Sequence, residues 1–191
     1  MKIEIKILQT IPDSLVSQVD QLLKDNESNN RIQDETTLSG YSKERFDNKN
    51  DRWKYIVAIN GEEVIGIIII FKREIENNNK KISLGGLGGV GTKKEYRGMG
   101  IASGMLREAS NILNKSGCDI AYLDTDINDL VLLKIYGKLG FVKLNKTHTY
   151  LGKSGKKYSA NDGMIAPIGS KEVFDEILSD KNPFNLCGSN W

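Results

Sequence analysis

Tyr96-Arg97-Gly98-Met99-Gly100-Ile101-Ala102 is the stretch of this chain best equipped for chemistry. It follows an apolar, glycine-punctuated run from Leu84 to Thr92 and opens an amphipathic segment. The pattern predicts a strand, a tight glycine turn and the start of a helix. A helix start exposes backbone N–H groups that have no carbonyl partner, together with the positive end of the helix dipole, so a diphosphate docked there meets donors and a favourable field. Gly98 and Gly100 lack the Cβ that would hold a ligand off the backbone, and Arg97 adds a permanent cation. The Lys-Ser/Thr ending of a P-loop is absent, and the three-glycine dinucleotide spacing is not met. Further on, Asp124 and Asp126 close a predicted strand, Asp119 to Thr125, at alternate positions that project to one face. They are either general bases or a solvated strand end with a helix cap. His148 is the only histidine and sits in Lys146-Thr147-His148-Thr149, which reads as an exposed loop and not as a base.

The elements that must position these residues are legible in outline. Met1 to Leu8 alternates polar and apolar residues and predicts a first strand, not a targeting segment. Leu15, Val16, Val19, Leu22 and Leu23 recur at helical spacing. Asn26 to Asn50 is polar and predicts a loop with a short helix near Ser42 to Phe46. Two strands, Trp53 to Ile59 and Glu63 to Phe71, are joined at Asn60-Gly61, a hairpin signal. Glu76 to Lys80 predicts a second, polar turn. After the glycine motif, Met99, Met105, Leu106, Ala109, Ile112 and Leu113 mark one face of a helix that ends at Ser116-Gly117. A helix over Leu130 to Lys138, strands near Phe141 to Leu151 and Lys157 to Ile168, and a short helix over Lys171 to Leu178 complete the expectation. No repeat or linker divides the chain, so residues 1–191 are expected to form one domain.

Arg97, Gly100 and Ala102 also match the R/Q-x-x-G-x-G/A acyl-CoA motif of the GNAT superfamily of N-acetyltransferases, and Leu133 to Phe141, a tyrosine-bearing helix ending in Gly140-Phe141, resembles its second signature. The resemblance covers about Val57 to Ile168. It implies a mixed α/β fold: a central, largely antiparallel sheet flanked by helices, with acyl-CoA in a splay between central strands. It implies cofactor contacts from Val90, Gly91, Thr92, Arg97, Gly98, Met99, Gly100, Ile101 and Ala102. Backbone groups of Val90 and Thr92 would face pantetheine and the acyl carbonyl; the alternative for this glycine-rich run is a bulge packed against a neighbour. Tyr136 stands where many members carry the tyrosine that protonates the coenzyme A thiolate, although it would also suit a half-buried core. Asp129 stands where the superfamily usually has Asn and reads as a helix cap.

Within the superfamily, the chain is similar to aminoglycoside 2'-N-acetyltransferases through the Ile135-Tyr136 helix, the Asn161-Asp162-Gly163 turn and the ending Leu186-Cys187-Gly188-Ser189-Asn190-Trp191. The likeness implies an acceptor site near Gly88, Gly89, Asp124, Asp162 and Trp191, the tryptophan carboxylate reaching a multi-amine sugar. Gly88 replaces that family's strand glutamate, Ser189 its acidic residue before the terminal tryptophan, and Asn161 an acid of its turn. These changes remove negative charge from the implied site, and Asp126, with Asp124, is the candidate to supply the base.

Composition narrows the alternatives. The chain has 191 residues, 27% of them charged, with a formal net charge of +2, which makes no global case for nucleic acid. Lys93-Lys94 and Lys153 to Lys157 read as solvated loop charge, the first pair being placed to steer a phosphorylated cofactor. Cys118 and Cys187 have neither metal-ligand spacing nor a disulfide framework, which suits a reducing cytoplasm. Val64 to Phe71 is apolar but too short to cross a bilayer. The expected function is acetyl-CoA-dependent N-acetylation of a small polar amine, an aminoglycoside first, as an antibiotic-resistance enzyme would do. A polyamine, amino acid or protein amine as acceptor, a non-catalytic acyl-CoA-binding module, and a structural partner domain are the alternatives. No metal, nucleic acid or membrane partner is expected, and a homodimer is compatible with the superfamily.

Overall fold

The computed structural model describes residues 2–26, 51–152 and 154–191. The polar segment expected to carry a helix near Ser42 to Phe46 lies outside the described residues, as does Lys153. Strand β1 (Ile3–Leu8) is followed by helix α1 (Asp13–Asn26), then by strands β2 (Arg52–Asn60), β3 (Glu63–Asn77) and β4 (Lys80–Thr92). Helix α2 (Ile101–Lys115), strand β5 (Ile120–Asp124), helix α3 (Leu130–Gly137), and strands β6 (Val142–Lys143), β7 (His148–Leu151), β8 (Lys157–Ala160) and β9 (Gly163–Pro167) come next. Helix α4 (Lys171–Ser179) and strand β10 (Phe184–Asn185) close the chain. The main sheet runs β1-β2-β3-β4-β5-β9-β6, and β4 with β5 is its one parallel pair among the described residues.

The hairpin turns differ in chemistry. Asn60 pairs with Glu63, so Gly61 and Glu62 make the first turn, not Asn60 and Gly61; Gly61 alone takes positive φ, the pattern of a II′ turn. In the second, Asn78 and Asn79 both take positive φ, as a I′ turn requires, and β3 therefore extends through Asn77, beyond the expected Phe71. The expected last two long strands each break in two. The Asn145–Thr147 and Asn161–Asp162 bends leave β6 and β9 in the main sheet and send β7 and β8 into a second sheet, ordered β10-β7-β8.

The run Val64 to Phe71 is apolar throughout because both faces of β3 are covered. Val64, Ile67, Ile69 and Phe71 join one core with α1, α4 and the tail, while Ile65, Ile68 and Ile70 join the other with α2 and α3. Burying each such side chain contributes about 1.5–3 kcal/mol. Leu113 of α2 sits where a Cβ at Gly85 would be, so that glycine brings helix and sheet together. Met99 departs from the expected helical face: α2 starts at Ile101, and Met99 is half exposed in the preceding loop.

Candidate active site

Strands β4 and β5 part company after a short contact. Leu84 to Gly86 pair with Ile120 to Tyr122, and no pairing joins the two strands beyond that point. A bulge reinforces the separation. The β3–β4 register slips between Ile67 and Ile69, opposite Gly89, whose φ is +57°. Past the bulge, the Lys93 N–H donates to Ile65 O on β3 (3.0 Å), while the Thr92 N–H points to the opposite edge. Val90 and Gly89 are the unpaired residues of the bulge. The Thr92 N–H, expected to face a cofactor, donates to Asn26 Oδ1 (3.2 Å) in this structure.

The glycine turn lies at the open end. Gly98 and Gly100 have φ of +79° and +78°, and an added Cβ at either would meet nothing within 4 Å, so the turn is open to a ligand on its outer side. Gly100 is the α2 N-cap and, having no side chain, gives the first-turn N–H groups no side-chain cap. Arg97 folds back across the turn, its Nε donating to Thr92 O (3.1 Å) and its other guanidinium nitrogen to Asn26 Oδ1 (3.0 Å). Asn26 thus ties α1 to both strand end and turn, an organising residue with no sequence signal beyond its place at a helix end. Lys93 is spent on Glu63 (2.6 Å), which leaves Lys94 as the available cation of that pair. These features fit the pyrophosphate of coenzyme A.

Tyr136 of α3 packs edge-on to Phe141 (6.0 Å between ring centres) and is buried in the core beneath α2 and α3. Its phenol is pushed up to about 12, first by burial and then by the negative charge of Asp124. Asp129 caps α3 as expected, accepting from the Val131 and Leu132 N–H groups. Asp124, at the end of β5, accepts from Asn190 Nδ2 (2.8 Å). β5 ends at Asp124, so strand alternation does not extend to Asp126, whose exposed carboxylate accepts from the Asn128 N–H (2.9 Å) in a local turn.

Of the two glycines expected to border an acceptor, Gly89 faces packed side chains, while Gly88 faces both the Phe71 ring and the terminal carboxyl carbon of Trp191. A Cβ at Gly88 would approach Phe71 and Trp191, and one at Gly89 would meet Leu23 and Ile69. Trp191 is itself core: it is 3% exposed, stacks on Phe71 (5.5 Å, 6° between planes) and lies so close over Gly86 that any Cβ there would overlap the indole. Arg73 sits on its outer face, 4.3 Å from the ring.

His148, expected on the surface, is fully buried on β7, edge-on to Tyr122 (5.4 Å) and stacked with Tyr150 (6.0 Å). Asp162 Oδ1 approaches its Nε2 to 3.8 Å, so the expected acceptor-site acid turns toward the interior. Burial lowers the imidazole pKa below 6.5 and Asp162 only partly opposes it. The unfolded chain therefore takes up a proton at a higher pH than the folded one. Stability contributed by the neutral ring is full above 6.5 and is lost as pH falls from 6.5 toward the lower folded value. His148→Phe should flatten that part of the stability profile, measured by urea unfolding at a series of pH values; an unchanged slope would assign the acid sensitivity elsewhere.

A mixed sheet that parts after its one described parallel pair, with a glycine turn and a helix start following β4, is the layout of a GNAT-type acetyltransferase fold. The chain belongs to the acetyltransferase (GNAT) domain family, whose model matches residues 18–143. It is 28% identical to human N-alpha-acetyltransferase 30 over 94 residues, which cover 49% of this chain and 25% of that relative, so it spans about a quarter of that protein's length. Among solved structures it resembles a GNAT family N-acetyltransferase (YhbS) from Escherichia coli in complex with CoA, with TM-score 0.64 and 17% identity over 95% of this chain and 87% of that one. It also resembles the NatC complex bound to Gag peptide and CoA, with TM-score 0.59 and 18% identity over 87% of this chain and 99% of that one. The finer likeness to aminoglycoside 2'-N-acetyltransferases has no counterpart among these relatives.

Proposed function

We propose that this protein is a single-domain, acetyl-CoA-dependent N-acetyltransferase whose acceptor is the α-amine of a polypeptide. The observation that supports it most is the parting of β4 and β5 after Gly86 and Tyr122, followed by the glycine turn and the start of α2. The similarity to an N-alpha-acetyltransferase favours a polypeptide amine over an aminoglycoside. Acetyl-CoA would supply a thioester carbonyl already activated for attack. The start of α2 with Gly98 and Gly100 would hold the pyrophosphate, and Arg97, if released from Asn26, would pair with it. The Val90 N–H would donate to the acyl oxygen as negative charge develops there. The Asp124 carboxylate would anchor the acceptor's ammonium and take its proton. Tyr136, neutral throughout the working pH range, would donate a hydrogen bond to the departing sulfur.

Thiol release from acetyl-CoA, read with a panel of N-terminal peptides, polyamines and aminoglycosides, tests the reading. Peptides should turn over, and blocking their α-amine should abolish the signal. Turnover confined to aminoglycosides would replace the acceptor class. Binding of coenzyme A without turnover of any amine would favour an acyl-CoA-binding module.

A further inference from the structure

The tail is stitched to the body along its whole length. Phe184 and Leu186 N–H groups donate to Thr147 O (2.9 Å) and Thr149 O (2.8 Å), and the Leu151 N–H donates to Gly188 O (2.8 Å). From the other side Arg73 donates to Leu186 O (2.9 Å) and Ser189 O (2.8 Å), lies over Trp191, and is balanced by Asp51. This frame delivers Asn190, 2% exposed, to one place. There its amide Nδ2 donates to Asp124 Oδ2 (2.8 Å) while its Oδ1 accepts from the Tyr122 hydroxyl (3.4 Å). The Asp124 carboxylate, which only accepts, settles which way round the amide sits: Nδ2 faces Asp124, and Oδ1 is left to accept from the Tyr122 hydroxyl.

We propose that Asn190 is a positioning residue of the acceptor site: its amide fixes the rotation of the Asp124 carboxylate and keeps it ionised, so that it is ready to receive a cationic amine. The proposal rests on the reading of Asp124 as the acceptor's anchor. A donor to the charged form of a carboxylate stabilises that form, and a second carboxylate in its place does the reverse. The arrangement is built from the tail, far in sequence from β5, and it explains why a polar side chain is buried at that point.

Two readouts separate the proposal from its foundation. The Asp124 carboxyl carbon, followed by NMR in aspartate-labelled protein and assigned with Asp124→Asn, should titrate about one pH unit higher in Asn190→Ala and higher still in Asn190→Asp. This measurement needs no acceptor. In thiol-release kinetics with the peptide acceptor, Asn190→Ala should raise the acceptor KM about tenfold with a smaller change in kcat, the loss expected for one hydrogen bond to a charged group. Asn190→Asp should move the acidic limb of kcat/KM upward, and Asn190→Ser, which keeps a donor, should recover part of the loss. Coenzyme A affinity should stay at the wild-type value in all three. An unmoved Asp124 titration in both Asn190→Ala and Asn190→Asp would overturn the proposal. A shifted titration together with wild-type acceptor KM in Asp124→Asn would instead overturn the anchor reading on which it rests.

Discussion

Tyr136→Phe should lower kcat by about a hundredfold or more, the usual contribution of a positioned acid, while acetyl-CoA affinity changes little. A phenol at about 12 facing a thiol of about 8.5 would give up its proton uphill by roughly 5 kcal/mol. Full transfer to a free thiolate is therefore unfavourable, and the hydroxyl's work is to stabilise charge as it develops on sulfur. The same burial that weakens Tyr136 as an acid keeps it protonated across the working range, so the phenol should add no basic limb to the kcat profile below about pH 11. Steady-state thiol release and coenzyme A titration calorimetry on the two proteins would check both statements. A variant with wild-type kcat would return Tyr136 to a packing role against Phe141.

Arg73→Ala should cost about 2–3 kcal/mol of stability. The figure is below the range for breaking a fully buried pair because Asp51 retains access to water. It corresponds to a fall in Tm of about 5–10 °C for a chain of this size. Burial lowers the guanidinium's pKa, although an arginine stays charged at any working pH, and Asp51 opposes the shift. Its removal strips two tail carbonyls of their donor and uncovers the outer face of Trp191. Tryptophan emission should shift to the red at temperatures where the wild type is still native. Thermal unfolding followed by fluorescence reads both effects. A wild-type emission maximum with lowered Tm would mean that the tail stays in place on its β7 contacts alone.

Much of the architecture follows from the order of residues. Unbroken burial of Val64 to Phe71 demanded a central strand, and the spacing of Met105, Leu106, Ala109, Ile112 and Leu113 demanded a helix packed on it. The turn at Gly98 and Gly100 and the Asp129 cap are local chemistry, written in contiguous residues. Where strand alternation was extended past its limit, at Asp126, the inference failed, because period-two geometry ends where the ladder ends. His148 was misread for a related reason: a polar flank predicts exposure only if nothing folds over it, and Tyr122, Tyr150 and Asp162 come from three separate segments.

Family membership and the glycine turn at the start of α2 were therefore determined by the sequence, since a glycine turn and a helix start need only neighbours in the chain. The surroundings of Gly86, Asp124 and Trp191 were decided by tertiary structure alone. Gly86 has no room for a side chain because the Trp191 indole, about a hundred residues away, lies on it, and Asp124 accepts from Asn190 across 66 residues. Close packing and side-chain hydrogen bonds act over ångströms in space and carry no fixed spacing along the chain, so no pattern of residues could have announced them.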